Sequence, residues 1–212
     1  MDKKFVVIAD PHLGTARGDV KLMGRFLESL DPLNQEVIFL GDLFHIWAGP
    51  KKYHTSAVKE LLPALKQFRD NGGKLHLIAG NRDVFLSEVK NGKSSSHLPF
   101  DSVTKDQMFF LLGDFKIVAL HGDTINSQDK RYLNWRRFIQ SPLVAVAFSL
   151  IPAIWVKKLM FRLESKLRHT NVRFKKEFPT GEWKQFLNRI NQDSSPNLVV
   201  VGHFHPEKLI IE

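Results

Sequence analysis

The chain has 212 residues, of which 43% are hydrophobic and 25% are charged. This composition is typical of one globular domain with room for an insertion, and it excludes a disordered chain. The absence of cysteine excludes a disulfide scaffold, a thiolate zinc site and a cysteine nucleophile. Only five apolar residues (5–9) follow the charged N-terminus, and no stretch reaches about 20 apolar residues. We therefore expect neither a signal peptide nor a membrane-spanning helix.

The net charge of +9 is concentrated in one segment of the chain. Residues 124–196 contain 14 lysines and arginines but only 5 acidic residues, and the rest of the chain is balanced. Such a segment should attract phosphate groups, nucleic acid or an anionic membrane surface.

Strand patterns alternate with helix patterns before residue 124. Short β-branched and aliphatic runs indicate buried strands, and apolar residues repeated every three or four positions indicate helices. This alternation predicts an α/β layered fold. The predicted strands are 4–9, 36–40, 74–79, 108–112 and 115–120, and the predicted helices are 19–30 and 53–69.

Only helix patterns follow, until a last strand at 197–201. Prolines at positions 142, 152 and 179 separate the helical segments. We expect residues 124–196 to form a helical cap, inserted into a core made of residues 1–123 and 197–212. The predicted cap helices are 127–139, 143–167, 171–177 and 182–190.

Polar residues that can bind metals follow five of the predicted strands. An aspartate in such a place usually caps a turn or a helix, and one histidine alone says little. Five such groups in this order are hard to explain as independent caps. Because open α/β sheets place their sites at the carboxyl ends of strands, we expect the groups to converge. They are Asp10-Pro11-His12, Gly41-Asp42, Gly80-Asn81-Arg82-Asp83, His121-Gly122-Asp123 and Gly202-His203-Phe204-His205.

The order of these five groups resembles that of the calcineurin-like metallophosphoesterases. The resemblance implies two mixed β-sheets flanked by helices and a pair of divalent metal ions bridged by Asp42. Carboxylate, amide and imidazole ligands together suit Mn²⁺, Fe or Zn²⁺, and we expect Mn²⁺. By this resemblance one ion takes Asp10, His12, Asp42 and His205, and the other takes Asp42, Asn81, His121 and His203.

Details of the groups resemble a narrower family, the UDP-2,3-diacylglucosamine hydrolases of lipid A synthesis. The details are Gly41-Asp42-Leu43-Phe44-x-x-Trp47, Arg82 after Asn81, and Thr124 after Asp123. The resemblance implies cleavage of a UDP-sugar lipid at its pyrophosphate, giving UMP and 2,3-diacylglucosamine 1-phosphate. It implies catalytic roles for Asn81, Arg82 and His203. The implied substrate-binding residues are Asn81, Arg82, Asp129, Tyr132, Arg168, Asn171, Lys175 and His203.

The chain departs from this narrower pattern in places. His45 stands where the family usually has an acidic residue, and Phe204 and Pro206 replace a threonine and an arginine. The proposed ligands are unaffected, and we expect His45 not to be a ligand. The departures leave open another phosphoesterase substrate, such as a nucleotide or a nucleic acid, or a metal-binding scaffold without activity.

The predicted cap contains an unusually apolar run. Residues 143–155 include 11 apolar residues in 13, and Lys157 and Lys158 follow directly. The run is either a buried core helix or a surface for acyl chains and the bilayer interface. Nucleic acid is disfavoured because its binders usually interleave aromatic and basic residues for stacking, whereas the predicted cap has this continuous aliphatic run. We expect a lipid-linked substrate and peripheral attachment at the cytoplasmic face of the inner membrane, and no protein partner is indicated.

Overall fold

The computed structural model describes residues 4–15, 18–86, 98–156 and 178–204. Its strands form a four-stranded sheet, a three-stranded sheet and a small two-stranded sheet. The strands are β1 (Lys4–Ile8), β2 (Gln35–Phe39), β3 (Trp47–Ala48), β4 (Lys74–Ile78), β5 (Asp83–Val84), β6 (Ser102–Thr104), β7 (Gln107–Leu112), β8 (Phe115–Leu120) and β9 (Leu198–Val201).

Side-chain caps define where most of the helices begin. The carboxylate of Asp19 accepts hydrogen bonds from the backbone N–H groups of Lys21 and Leu22. The hydroxyl of Ser141 accepts one from the backbone N–H of Val144. Such caps satisfy N–H groups that have no partner inside a helix. The α-helices are α1 (Val20–Ser29), α2 (Ser56–Asp70), α3 (Lys130–Ile139), α4 (Pro142–Leu150) and α5 (Thr180–Asp193), and Lys51–Tyr53 forms a 3₁₀ turn.

The four-stranded sheet is parallel in every described pairing, in the order β1-β2-β4-β6. Its central strands β2 and β4 are each buried at four of five positions, as expected of a parallel sheet that is covered on both faces. The two polar residues among these positions, Glu36 and His76, pair with each other. The three-stranded sheet has the order β7-β8-β9 and is mixed, because β7 runs antiparallel to β8 and β9 runs parallel to it.

The two larger sheets pack face to face between layers of helices. Ile38, Ile78 and Ala119 belong to the cluster between the sheets. Helices α1 and α2 cover the other face of the parallel sheet through a cluster that includes Leu27 and Leu61. Helix α5, which lies inside the predicted cap segment, covers the other face of the mixed sheet. The predicted α/β layered fold is confirmed, but of the two sheets expected to be mixed, the four-stranded one is parallel in every described pairing.

Differences from the predicted elements are local. The first cap helix begins at Lys130 and not at residue 127, because Asp129 accepts from the N–H of Tyr132 as an N-cap. Strands β3, β5 and β6 were not predicted, since runs of two or three residues carry little pattern. No helix among the described residues is long and apolar enough to cross a membrane.

The apolar run of the cap does not form one continuous helix. Helix α4 ends at Leu150, Ile151 adopts an extended conformation, and helical structure resumes at residues 153–156 after Pro152. This confirms the break that the sequence predicts at Pro152 within the helical pattern over 143–167, because proline cannot continue the hydrogen-bonding ladder. The rest of that prediction and the helix over 171–177 lie outside the described residues.

Candidate metal centre

The described part of the predicted site is built at the carboxyl ends of five strands. Asp10 and His12 follow β1, Asp42 follows β2, and Asn81 follows β4 in the parallel sheet. His121 follows β8 and His203 follows β9 in the mixed sheet. Since the sheets pack against each other, these ends meet at one edge of the sandwich.

Four of these residues have a positive φ, a backbone conformation that residues other than glycine rarely adopt. A positive φ costs about 1–3 kcal/mol per residue and is retained where surrounding structure requires it. The strain at several neighbouring strand ends is typical of a functional site. The residues are Asp10 (φ 47°), His12 (φ 46°), Asp42 (φ 49°) and His203 (φ 65°).

Three side chains come close enough to share a metal ion. One ligand atom from each of Asp10, Asp42 and His121 lies within 4.8 Å of the other two. The Nδ1 atom of His12 lies 3.8 Å from Oδ2 of Asp42. The backbone N–H of His203 donates to Oδ2 of Asp10 at 2.6 Å, which joins the two sheets at this point.

Asp42 is at the centre of the cluster and is almost fully buried. Its Oδ1 accepts from the backbone N–H of Arg82 at 2.9 Å, and its Oδ2 lies 3.4 Å from Nε of Arg82. Burial by itself raises the pKa of Asp42, but the nearby His121, His12 and Arg82 outweigh burial and lower it. The carboxylate is therefore held in the ionised form that a cation requires.

His121 is oriented by a backbone carbonyl group. Its Nδ1 lies 2.6 Å from the carbonyl oxygen of Leu40, which can only accept, so Nδ1 carries a proton. Its Nε2 faces Oδ1 of Asn81 at 3.3 Å and Oδ1 of Asp42 at 3.8 Å. When His121 is neutral, its Nε2 lone pair opposes these oxygens, and a proton or a cation between them removes the repulsion.

The electrostatic environment of His121 also favours a positive charge. Burial lowers its pKa, but Asp42, Asp123 and Asp10 outweigh burial and raise it. A divalent cation in the cluster would be stabilised by the same carboxylates. Fixing of Nδ1 by a backbone carbonyl is the usual way in which proteins aim Nε2 of a histidine at a metal.

Glycines leave room for these side chains to approach each other. A Cβ atom on Gly80 would lie 2.4 Å from Oδ1 of Asp42, and one on Gly202 would lie 2.7 Å from Oδ2 of Asp10. A Cβ on Gly41 would lie 2.6 Å from Nδ1 of His121. The glycines in front of Asp42, Asn81 and His203 are thus required by close packing at the cluster.

Asp83, the first residue of β5, provides a second buried carboxylate and is not among the predicted site residues. Oδ2 of Asp83 accepts from the backbone N–H groups of Asp42 at 2.7 Å and Gly80 at 2.9 Å. Burial, with a smaller contribution from the charge of Asp42, raises the pKa of Asp83 to about 7. Asp83 therefore fixes the backbone at Asp42. The sequence feature that could have indicated this role is the aspartate at the end of the Gly-Asn-Arg-Asp group.

Of the substrate-binding residues predicted in segment 124–196, the structure describes only Asp129 and Tyr132. Asp129 caps α3, and the Tyr132 hydroxyl donates to the carboxylate of Asp123, two residues after His121. Burial, followed by the charge of Asp123, raises the pKa of Tyr132. These contacts bring the first turn of α3 towards the loop of the metal cluster. His205, Arg168, Asn171 and Lys175 lie outside the described residues.

The residues present fit a divalent metal site. The donor set consists of carboxylate and amide oxygens and imidazole nitrogen, which hard or borderline cations such as Mn²⁺ and Zn²⁺ accept. The carboxylates of Asp10 and Asp42, the oriented histidine and the glycine cradle all converge on the same volume.

Known proteins resemble this chain over most of its length. The UDP-2,3-diacylglucosamine hydrolase of Wigglesworthia glossinidia brevipalpis is 26% identical over 205 residues, covering 95% of this chain and 79% of that protein. The Edwardsiella ictaluri protein of the same name is 30% identical over 168 residues, covering 77% of this chain and 61% of that protein. The protein of that name from Nitrosococcus oceani is 29% identical, and 60% of its length is matched. Two of these three matches therefore span about three fifths of the relative.

A solved structure and a family model complete the comparison. A protein of unknown function from Aquifex aeolicus has 18% sequence identity and a TM-score of 0.40, covering 64% of this chain and 69% of that one. The sequence model of the calcineurin-like phosphoesterase family matches residues 3–207. The chain therefore belongs to the calcineurin-like phosphoesterase family and is a metal-dependent hydrolase.

Proposed function

We propose that the chain hydrolyses the pyrophosphate bond of UDP-2,3-diacylglucosamine, releasing UMP and 2,3-diacylglucosamine 1-phosphate. The observation that carries this proposal is the convergence of Asp10, Asp42 and His121 on one volume, with Arg82 beside it. The names of the relatives support the substrate.

The cofactor that we propose is a pair of divalent ions, with Mn²⁺ as the first candidate. Asp10, His12, Asp42 and His205 would hold one ion, and Asp42, Asn81, His121 and His203 would hold the other. Ions in this place would polarise the phosphoryl oxygens and make a water molecule acidic enough to act as a nucleophile near neutral pH.

Arg82, Asn81 and His203 would bind the phosphoryl oxygens. A guanidinium group can pair with two phosphoryl oxygens at once and cannot ligate a cation. Arg82 is suited to this role because its side chain is only 16% exposed, so its charge acts with little screening by water. The leaving group is itself a phosphate, so the reaction does not require a strong general acid.

We propose further that part of segment 124–196 caps the site and binds the sugar and acyl chains. The proposal assigns substrate contacts to Asp129, Tyr132, Arg168, Asn171 and Lys175. Its support is the apolar surface of α4, where Leu143, Val146 and Leu150 are mainly exposed. These positions are spaced i, i+3 and i+7, so they share one helix face.

The same surface supports peripheral attachment to a membrane. An apolar helix face in a segment with a net charge of +9 suits the interface of an anionic bilayer. We propose that the protein works at the cytoplasmic face of the inner membrane, where a lipid-linked substrate would be available.

The test is hydrolysis of UDP-2,3-diacylglucosamine by the full chain with Mn²⁺, followed by release of UMP. The proposal expects release that depends on metal and is abolished in Asp42→Asn. A control assay uses bis(p-nitrophenyl) phosphate, which has no acyl chains. Metal-dependent hydrolysis of the control alone would contradict the lipid substrate and retain the phosphoesterase.

A further inference from the structure

The Arg82 guanidinium group is held by His45, a residue that the proposed site does not use. Its Nη1 lies 3.1 Å from the carbonyl oxygen of His45 and 3.2 Å from Nδ1 of the same residue. A guanidinium group has donors only, so Arg82 donates both hydrogen bonds. The Nδ1 atom of His45 must then be unprotonated. The imidazole that makes this contact is neutral and carries its proton on Nε2.

The position of His45 is fixed by the backbone on both sides of it. The N–H of His45 donates to the carbonyl oxygen of Leu13 at 2.9 Å. The N–H of Trp47 donates to the carbonyl oxygen of Arg82 at 2.9 Å, and β3 pairs with β5 directly beyond this bond. His45 and Arg82 therefore stand on segments that are hydrogen-bonded to each other, so the contact between their side chains is organised before a ligand binds.

The charge of the group at position 45 affects what Arg82 can bind. Asp42 already places one carboxylate oxygen 3.4 Å from Nε of Arg82. A neutral imidazole fixes the guanidinium group and adds no further negative charge. A carboxylate, which the narrower family usually has at this position, would also fix the guanidinium group but would compete with a phosphoryl group for part of its charge. The histidine therefore distinguishes the site of this chain from the usual pattern of that family.

We propose that His45 is a positioning residue, which holds the Arg82 guanidinium group for a phosphoryl group and leaves its positive charge available. The inference rests on the proposed role of Arg82 in binding phosphoryl oxygens. It does not depend on the sugar or the acyl chains of the substrate.

The test uses three substitutions at position 45 in the full chain with Mn²⁺. Asparagine offers a neutral hydrogen-bond acceptor near the position of Nδ1. Aspartate has the shape of asparagine with a negative charge, and alanine has no side-chain acceptor. With bis(p-nitrophenyl) phosphate as substrate, His45→Asn should keep kcat/KM within about threefold of the original chain. His45→Ala and His45→Asp should each lower it by about tenfold or more, which is the size of a charge-assisted hydrogen bond.

Two further measurements separate positioning from a structural effect. Binding of inorganic phosphate, measured by calorimetry, should weaken in His45→Ala and His45→Asp and be retained in His45→Asn. Metal content and melting temperature should be unchanged in His45→Asn and His45→Ala. Equal activity and phosphate binding in the Asn and Asp variants would overturn the inference that charge at position 45 matters.

The double variant shows whether His45 acts through Arg82. The inference expects His45→Ala to have no further effect on kcat/KM once Arg82→Ala is present. A tenfold loss in both backgrounds would overturn it. If kcat/KM of Arg82→Ala alone stays within a few-fold of the original chain, the proposed role of Arg82 in binding phosphoryl oxygens is wrong as well. This single variant therefore distinguishes failure of the His45 inference from failure of the proposed role of Arg82.

Discussion

Arg136 on α3 and Asp123 in the loop after β8 form a buried ion pair, with Nε of Arg136 2.7 Å from Oδ2 of Asp123. Nη2 of Arg136 also donates to the carbonyl oxygen of Lys105 at 2.7 Å, in the turn between β6 and β7. One side chain therefore fixes α3 both to the loop of His121 and to the end of the parallel sheet. This connection sets where α3 lies relative to the metal cluster.

We expect Arg136→Ala to lower the free energy of unfolding by about 3–5 kcal/mol. The substitution leaves the carboxylate of Asp123, only 2% exposed, without its cation. Unfolding in urea, followed by circular dichroism, measures the change. The matched control is Arg137→Ala on the same helix, where the side chain is exposed and the expected effect is below about 0.5 kcal/mol. Equal losses in the two variants would show that the ion pair contributes nothing.

We expect Asp42→Asn to lose more bound metal than His12→Ala does. If Asp42 bridges two ions, its charge contributes to both, whereas His12 contributes to one. Metal content after dialysis against Mn²⁺, measured by mass spectrometry, gives the comparison. Asp114→Asn in the exposed β7–β8 turn is the control and should bind as the original chain does. Full metal occupancy in Asp42→Asn would contradict the bridging role.

His76 predicts a dependence of stability on pH away from the metal cluster. Burial lowers its pKa below 6.5, although Glu36 at 3.3 Å and Asp101 partly offset this, and Lys74 lowers it further. Between the lowered pKa and 6.5 the unfolded chain binds a proton more readily than the folded chain. The contribution of His76 to the free energy of unfolding is therefore present above pH 6.5 and is lost as the pH falls from 6.5 towards the lowered pKa.

The variant His76→Gln removes this titration. We expect it to lose less stability than the original chain between about pH 8 and about pH 5, as measured by urea unfolding at each pH. Its absolute stability can differ at every pH, so the slopes are compared. Parallel slopes would mean that His76 does not titrate differently in the folded and unfolded chains.

The sequence predicts the layers well because burial determines their pattern. Residues 74–79 were predicted as a strand and Lys74–Ile78 forms one, since four consecutive positions are buried in the middle of a sheet. The meeting of Asp10 and Asp42 also follows from strand order, because β1 and β2 are parallel neighbours that end at the same edge. His121 comes from the mixed sheet and joins them because the two sheets pack face to face. Such features need only local pattern and the rules of sheet topology.

Hydrogen-bond partners could not be predicted in the same way. Asp83 binds the N–H of Asp42, and His45 binds Arg82, across about 40 residues of chain. These contacts depend on the alignment of β3 with β5, two strands of two residues each that no sequence pattern indicates. The partners of Asp123 were missed for a similar reason, since they depend on how α3 docks against the loop after β8.

The two sides of α4 provide the sharpest test of the lipid proposal. Phe148 points inwards, stacked on Phe85 at 4.2 Å and against Tyr53 at 4.9 Å, and the Tyr53 hydroxyl reaches its carbonyl oxygen. Val146 and Leu150 are 61% and 78% exposed on the other side. The alternatives for the apolar run, core helix and exposed surface, thus apply to different faces of the same helix. Phe148→Ala should destabilise the fold, by less than the ~3–5 kcal/mol that is typical of a fully buried phenylalanine, because Phe148 is only partly buried.

We expect Val146→Asp combined with Leu150→Asp to keep the fold, because both positions face away from the packed side. Metal-dependent hydrolysis of bis(p-nitrophenyl) phosphate should then continue, since the described residues of the metal cluster follow strands and are not part of α4. Hydrolysis of UDP-2,3-diacylglucosamine and sedimentation with anionic vesicles should both decrease sharply, because an acyl chain or bilayer would have to cover an unpaired carboxylate. The control Val146→Asn with Leu150→Asn has the same shape without charge and should lose less. If the charged variant binds vesicles and hydrolyses the diacyl substrate as the original chain does, this surface contacts neither acyl chains nor membrane, and only the general phosphoesterase activity remains supported.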